Sequence, residues 1–192
     1  MPRTEDFIRE DVLEQAKEVF WRRGFNGTSM QDLVDATGLN RSSLYNSFGS
    51  KSELYQLCLK TYKQQTHQWL DGNVKQESNG LERVRGLFKG LIDNILGDTE
   101  NKGCMILNCS TEMGDEPFTH GIAKNNQKDF VACFRNLVEE GQADGSLNAG
   151  EDALVMAHYL SSAFNGLRIT GITLKDPGAL EGIANKIIRS IQ

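Results

Sequence analysis

Proline is scarce in this chain, with three residues in 192. Because proline interrupts helices, its scarcity leaves room for long continuous helices. Long apolar runs without charges are missing as well, and the mean hydropathy is −0.44, which argues against a membrane-spanning helix. The first ten residues alternate in charge and contain no apolar stretch of the kind found in secretion signals. We therefore expect a cytoplasmic protein that does not associate with a membrane.

An excess of basic residues is also missing. The chain has 21 Lys and Arg against 26 Asp and Glu, a net charge of −5, which argues against a protein that coats nucleic acid along its whole surface. Residues 1–63 contain nine basic and nine acidic residues, so the whole excess of acidic residues lies in the part of the chain after residue 63. Between Asp35 and Glu53 there is no acidic residue, whereas Arg41 and Lys51 are present. These residues form a local positive window in an acidic protein.

Motifs for metal binding and catalysis are not found. The four cysteines form no CxxC pair, and without a secretion signal we expect reduced thiols at Cys58, Cys104, Cys109 and Cys133. The three histidines include no i,i+4 pair of the kind that binds a metal ion. Gly-rich phosphate loops, GxSxG elbows and paired-carboxylate motifs are absent too. The sequence therefore predicts neither an enzyme, nor a metal site, nor a cofactor.

Apolar residues recur at helical spacing along almost the whole chain, and strand patterns are nearly absent. The spacing predicts an all-α protein of about nine helices. Capping and punctuation residues mark the helix ends, at Gly24, Asn40, Ser50–Glu53, Pro117 and Pro177. The polar residues 71–80 are the clearest loop. Residues 153–170 are apolar on nearly all sides, which indicates a helix buried on more than one face.

Residues 24–55 predict a helix-turn-helix. A short helix ends at Gly38, and a second short helix follows Asn40. Apolar residues are spaced to pack both helices on the first helix of the chain. The residues that remain can project into a DNA major groove, namely Arg41, Ser42, Ser43, Asn46 and Ser47. Thr28, Ser29 and Lys51 lie at helix N-termini, where free N–H groups favour a phosphate.

The same segment closely resembles the DNA-binding signature of the TetR/AcrR family of repressors. The shared residues are Phe20, Gly24, Phe25, Thr28, Ser29, Asp32, Leu33, Gly38, Leu44, Tyr45, Phe48, Lys51, Glu53 and Leu54. The resemblance implies an all-α protein with a three-helix DNA-binding domain at residues 1–49. It also implies a helical effector-binding and dimerisation domain at residues 50–192.

The resemblance further implies that Tyr45 and Lys51 bind DNA phosphates and that the helix from Arg41 to Ser47 reads bases. Many family members have His where this chain has Ser47, and Gly or Pro where it has Ser42. The base preference of the family therefore cannot be transferred. Two roles stay open for Arg41, which can read a guanine edge or contact a phosphate.

By the same resemblance we expect a one-component regulator, a repressor that binds a palindromic operator as a homodimer. The last two helices are expected to form a four-helix bundle with their copies in the partner. The Ile-rich final helix and the helix at 153–170 supply the candidate interface residues, Leu160, Phe164, Leu167, Leu180, Ile183, Ile187 and Ile191.

A small-molecule effector is expected to release the DNA. Its candidate binding residues are Trp69, Phe88, Ile92, Cys104, Met105, Asn108, Phe130, Phe134 and Phe164. Residues 102–114 resemble a segment of a family branch in which some members respond to electrophiles through the cysteine at the Cys104 position. Cys104 is thus either a reactive thiol near a helix N-terminus or a small buried residue. A regulator without any ligand, and an enzyme or interaction module with a borrowed helix-turn-helix, are the remaining alternatives.

Overall fold

The computed structural model describes residues 7–74 and 79–192, and the described residues form nine α-helices and no β-strand. The helices are α1 (Arg9–Arg23), α2 (Met30–Thr37), α3 (Arg41–Phe48), α4 (Lys51–Asn73), α5 (Gly80–Gly97), α6 (Met105–Glu112), α7 (Pro117–Ala143), α8 (Ala153–Thr170) and α9 (Pro177–Arg189). The all-α prediction is therefore confirmed. Within the expected loop at 71–80, α4 continues to Asn73 and α5 begins at Gly80, while residues 75–78 lie outside the described part.

The helix boundaries follow the capping residues in the sequence. Asn40 caps α3, its side-chain oxygen accepting a hydrogen bond of 2.9 Å from the Ser43 amide. At the start of α4, Ser50 and Glu53 form the predicted capping box, in which each side chain accepts from the other residue's backbone N–H. Pro177 occupies the first turn of α9, where its missing N–H leaves no helical hydrogen bond unmade.

The contacts divide the chain into two compact units. The head unit is Met1–Thr66 with Met105–Ile122, and the body unit is His67–Cys104 with Ala123–Gln192. The head unit thus holds α1, α2, α3 and α6, and both α4 and α7 begin in it and end in the body unit. This division differs from the expected boundary at residue 49, because the first part of α4 and all of α6 group with the DNA-binding helices.

The core of the head unit explains why α4 belongs to it. The side chains of Leu54, Cys58 and Leu59 on α4 are at most 1% exposed. The Tyr55 ring lies 4.9 Å from the Phe20 ring on α1, centroid to centroid. Burying these apolar side chains stabilises the packing of α4 on α1.

The body unit has a continuous apolar core formed mainly by α5, α7, α8 and α9. Phe88, Phe134 and Phe164 are completely buried in it. At the start of α5, a Cβ on Gly80 would lie 2.4 Å from the Cα of Gly141 on α7, so the two helices approach through glycine. The expected burial of α8 on more than one side is wrong within the chain, because its buried residues, from Met156 to Leu167, lie on one side of the helix, and Leu154, Val155 and Tyr159 are exposed. In the described residues no helix is long and apolar enough to cross a membrane.

The body core contains most of the candidate dimer-interface residues. Six of the seven residues are at most 8% exposed and pack inside their own chain, namely Leu160, Phe164, Leu167, Leu180, Ile187 and Ile191. A helical stripe identifies a side that is buried, but it does not identify what buries it. Ile183 is the exception, since 39% of its side chain is exposed.

Candidate nucleic-acid interface

The helix-turn-helix is built from α2, the residues Gly38, Leu39 and Asn40, and α3. Gly38 adopts the left-handed conformation with φ of 67°, and its N–H bonds to the Val34 carbonyl, which ends α2. Leu33 on α2 and Leu44 on α3 are at most 1% exposed. The buried side of each helix thus fixes which side faces solvent.

One face of α3 is free of core contacts. Arg41, Ser42, Tyr45 and Asn46 are exposed, while Ser43 and Ser47 are half-buried. The spacing of the four exposed residues places them along one side of a helix. The structure thus places three of the five predicted reading residues, Arg41, Ser42 and Asn46, on a single exposed surface together with Tyr45. We call this exposed side the α3 surface.

The charge of the α3 surface suits a polyanion. The helix contains no acidic residue, and Arg41 stands at its first position. The preceding helix has two acidic side chains: Asp32 forms an ion pair with Arg23, and Asp35 accepts a hydrogen bond from the Gln31 side chain on the same helix. Hydrogen bonds from the Ser29 hydroxyl and amide, followed by the Arg23 contact, hold the pKa of Asp32 below its usual value. Asp32 is therefore anionic at neutral pH, and Arg23 balances its charge.

Thr28 and Ser29 have different positions from each other. The Ser29 side chain is exposed and caps α2 by accepting from the Asp32 amide at 3.1 Å. The Thr28 side chain is 1% exposed, and its hydroxyl donates to the Gly24 carbonyl at 2.6 Å. A buried hydroxyl that already donates to the backbone cannot reach a phosphate through its side chain. The predicted DNA contact of Thr28 is therefore replaced by a role in shaping the turn before α2.

Lys51 lies at the first position of α4 and is half-buried. Its ammonium nitrogen lies 4.3 Å from the centroid of the Phe25 ring, within the range of a cation–π contact. The neighbouring Glu53 accepts hydrogen bonds from the Ser50 amide and hydroxyl, and these bonds lower its pKa. The charge of Glu53 is thus directed to capping α4, and Lys51 remains available to an anion beside the helix N-terminus.

Sequence reasoning missed Arg9 as a support of α3. Its guanidinium donates to the Ser47 carbonyl and lies 4.3 Å from the centroid of the Phe48 ring. Ser47 is near the C-terminus of α3, where carbonyl groups lack helical partners. The contact spans 38 residues, and no local sequence motif predicts a contact at that separation.

The candidate effector residues fall into both units. In the body unit, Phe164 contacts four aromatic rings at centroid distances of 5.6–6.3 Å, those of Trp69, Phe88, Phe130 and Phe134. Ile92 is 6% exposed and belongs to the same core. Met105 and Asn108 belong to α6 in the head unit, with Met105 buried and Asn108 exposed. Cys104 ends the first part of the body unit and is 8% exposed.

A polar group beside the aromatic cluster was not predicted. Ser161 on α8 is completely buried, and its hydroxyl accepts a hydrogen bond of 3.1 Å from the Gln127 amide on α7. The guanidinium of Arg168 lies 5.4 Å from the centroid of the Phe164 ring. Both residues occur in otherwise apolar sequence, and their helical spacing alone does not separate them from solvent-facing polar residues.

Helices α1, α2 and α3, with an exposed α3 that is free of acidic residues, define a helix-turn-helix DNA-binding protein. Comparison with known proteins gives the family. The family described as "Bacterial regulatory proteins, tetR family" matches residues 12–58, and "Tetracyclin repressor-like, C-terminal domain" matches residues 80–187. The chain belongs to the TetR family and is a DNA-binding transcriptional regulator.

Two curated relatives match most of the chain. The uncharacterized HTH-type transcriptional regulator YezE of Bacillus subtilis is 28% identical over 166 residues, which are 85% of each chain. The HTH-type transcriptional repressor ComR of Escherichia coli is 26% identical over 85% of this chain and 79% of its own. Both relatives therefore share the DNA-binding and the C-terminal regions with this chain.

Solved structures agree with the fold. A TetR transcriptional regulator from Chloroflexus aurantiacus superimposes with a TM-score of 0.84 at 22% identity, over 94% of this chain and 92% of its own. A cysteine mutant of the TetR family regulator CifR, in complex with a 26 bp double-strand operator DNA, has a TM-score of 0.83 at 24% identity and covers 99% of this chain and 100% of its own. The whole chain, and not the head unit alone, thus has the fold of the family.

Proposed function

We propose that this protein is a repressor that binds a palindromic operator as a homodimer and releases it when a small apolar effector binds. The observation that carries the proposal is the α3 surface, whose exposed residues include Arg41 and Tyr45 and no carboxylate. A helix of this kind fits a major groove, and its N-terminal residues reach base edges. We assign no catalytic role to the chain.

The DNA contacts are divided between two tasks. Arg41, Ser42 and Asn46 face the base edges, with Ser43 and Ser47 at the margin of the surface. Tyr45, Lys51 and Ser29 contact phosphates. Phosphate contacts set affinity and register, whereas base contacts set sequence preference. This division makes the two groups separable by mutation.

The dimer interface is formed by the exposed apolar side of α8 and α9. Leu154, Val155 and Tyr159 on α8 are 43%, 65% and 43% exposed, and Ile183 on α9 is 39% exposed. Apolar side chains on two neighbouring helices are a costly surface for a monomer and a favourable one for a symmetric four-helix contact. A dimer places two α3 helices on successive major grooves, about 34 Å apart.

The effector is bound by the aromatic cluster around Phe164, with the Ser161 hydroxyl and the Gln127 amide as its polar groups. Aromatic walls with few polar groups are typical of small-molecule sites. Effector binding lowers the population of dimers with the DNA-binding spacing of the two α3 helices.

A ligand that binds the folded state raises the melting temperature, so a panel of apolar compounds can be screened by thermal shift. Ser161→Ala is expected to lower the affinity of the protein for the compound that releases DNA. A panel in which no compound raises the melting temperature favours a ligand-independent regulator.

The central experiment selects duplexes from a random library with the purified protein. We expect a palindrome whose half-site centres are about one helical turn apart. Lys51→Ala is expected to weaken the selected and a scrambled duplex alike and to lower the slope of log K against log salt by about one unit. Tyr45→Phe is expected to weaken both duplexes as well. Lys128→Ala, an exposed charge on α7, is the matched control. An unchanged slope in Lys51→Ala removes Lys51 from the phosphate contacts, and failure to select any palindrome contradicts the dimeric operator complex.

A further inference from the structure

The last residue of α6 holds the turn that follows α1. One Glu112 carboxylate oxygen accepts a hydrogen bond of 2.9 Å from the Phe25 amide, and the other accepts one of 2.7 Å from the Asn26 amide. These amides lie just past the C-terminus of α1 and before the cap of α2. Glu112, Phe25 and Asn26 all belong to the head unit. A residue more than 85 positions further along the chain thus holds the turn that precedes the helix-turn-helix.

The backbone at Gly24 is shaped for this carboxylate. Gly24 has φ of 72°, and a Cβ at this position would lie 2.6 Å from a Glu112 carboxylate oxygen. Its conformation favours glycine, and a Cβ here would be accommodated only if the Glu112 side chain moved. The side chain of any other residue here would push Glu112 away from the two amides.

The Phe25 side chain of the same turn contacts Lys51, the phosphate contact of the proposed function on which this inference rests. The Phe25 ring contacts both the Lys51 ammonium, 4.3 Å from its centroid, and the Tyr55 ring, whose centroid is 5.1 Å away. Moving the Phe25 backbone therefore moves the ring against which Lys51 rests. Glu112 thus holds the backbone of Phe25, and Lys51 rests against the ring of the same residue.

A second contact from α6 supports the same turn. Burial, followed by the neighbouring Cys109, raises the pKa of the Tyr55 hydroxyl far above its usual value. Cys109 and Glu112 are three residues apart and lie on the same side of α6. This side of α6 thus contacts Tyr55 through Cys109 and the Phe25 turn through Glu112.

We propose that Glu112 is a positioning residue for DNA binding. By accepting from the Phe25 and Asn26 amides it fixes the turn that sets both the start of α2 and the location of Lys51. A carboxylate is suited to this task because its two oxygens accept two converging N–H groups and offer no donor. An amide at the same position accepts from one N–H and turns an NH₂ group toward the other.

The first test compares Glu112→Gln with Glu116→Gln, an exposed glutamate that gives the same change in charge. The probe is the duplex selected with the wild-type protein, titrated well below the melting temperature of each variant, with the active fraction measured by stoichiometric titration. We expect Glu112→Gln to raise the Kd about ten-fold, the effect of losing a hydrogen bond to a charged group, and Glu116→Gln to leave it unchanged. Unchanged affinity in Glu112→Gln, with only a lower melting temperature, overturns the proposal.

A double-mutant cycle separates positioning from general stabilisation. If Glu112 acts through the Phe25 turn on Lys51, the fold-increase in Kd caused by Glu112→Gln is expected to be smaller by a factor of about three or more in the Lys51→Ala background than in the wild type. Fully additive losses overturn this route.

Hydrogen exchange provides a readout that needs only a folded protein. In Glu112→Gln the Phe25 and Asn26 amides are expected to exchange faster than in the wild type, while the Ser43 amide, which bonds to Asn40, is unchanged. Glu112→Asp keeps the charge and shortens the side chain, and it is expected to raise the exchange rates of the same two amides. Unaltered exchange at both amides contradicts the hydrogen bonds on which the proposal rests.

Discussion

Arg9 joins the first turn of α1 to the C-terminus of α3, its guanidinium nitrogen donating to the Ser47 carbonyl at 2.7 Å. The same guanidinium stacks over Phe48, the last residue of α3. The helix proposed to face DNA, α3, is therefore capped at its N-terminus by its own neighbour Asn40 and at its C-terminus by a residue 38 positions earlier. The positive charge of Arg9 is thus directed to contacts within the protein, with the Ser47 carbonyl and the Phe48 ring.

Replacing Arg9 is expected to loosen α3. Arg9→Ala loses a charge-assisted hydrogen bond and a cation–π contact, so we expect a loss of about 1–2 kcal/mol in the free energy of unfolding and weaker DNA binding. Urea unfolding measures the first effect and titration of the selected duplex the second. Arg22→Ala is the control, since its ion pair with Glu18 is on the surface and contributes under about 1 kcal/mol. Equal losses in the two variants would show that the contact with Ser47 contributes nothing specific.

Arg41→Ala is expected to relax the preference at one base pair in each half-site, at a cost of about 1–3 kcal/mol in binding free energy. Arg41 begins α3 and is exposed, as a residue that reads a base edge must be. Repeating the duplex selection with the variant tests this directly. The same selected motif with uniformly lower affinity would make Arg41 a phosphate contact instead.

Val155→Glu and Ile183→Glu are each expected to dissociate the dimer, because they place a charge on the exposed apolar side of α8 and α9. Sedimentation velocity gives the mass, and operator affinity is expected to fall with it, since a monomer engages one half-site. Asn125→Glu, on the exposed side of α7, should leave the mass unchanged. A variant Val155→Glu that stays dimeric would place the interface elsewhere.

Ile187→Glu is expected to have a different effect from Ile183→Glu. Ile187 is 8% exposed and belongs to the body core, so a charge there lowers the free energy of unfolding of the chain itself. Circular dichroism melting distinguishes the two cases. A folded, monomeric Ile187→Glu would return Ile187 to the interface.

Cys104 is expected to behave as a packing residue. It is 8% exposed, and a thiol that reacts as a sensor must be accessible. A mild oxidant or N-alkylating electrophile should therefore release DNA equally from the wild type and from Cys104→Ser. Release from the wild type alone would establish Cys104 as the sensor.

Alkaline pH is expected to destabilise the head unit through Cys58. Burial raises the pKa of the Cys58 thiol to about 12 from a usual value of 9. Between these values the unfolded chain loses a proton that the folded chain keeps, so the stabilising contribution is complete below pH 9 and falls as pH rises toward 12. Urea unfolding at several alkaline pH values should show a shallower fall in Cys58→Ala than in the wild type. Identical curves would exclude the thiol as a cause.

The sequence alone predicts those features that depend on neighbouring residues. The bounds of α3 follow from the Asn40 cap and the glycine after Phe48, both local signals. The exposed residues of α3 follow from the spacing of Leu44 and Phe48 on its buried side. Local pattern was sufficient for the exposed residues of the α3 surface because that surface is one side of a single short helix.

Features that depend on distant parts of the chain were not predictable in the same way. The stripe containing Ile187 correctly indicated a buried side, but which element covers it is decided by tertiary packing. The contacts of Arg9 with Ser47 and of Glu112 with the Phe25 amide span 38 and 87 residues. Such contacts leave no periodic or capping signal near either partner.

The discontinuity of the head unit limits how DNA specificity can be exchanged between relatives. A chimera that replaces residues 1–49 alone takes the Gly24–Asn26 turn from one protein and leaves α6, with Glu112, from the other. Such a hybrid keeps a matched turn and carboxylate only when both parents have glycine and glutamate at these two positions. Grafts that move residues 1–66 together with 105–122 keep the compact unit whole, so a working exchange requires two segments of chain and three junctions.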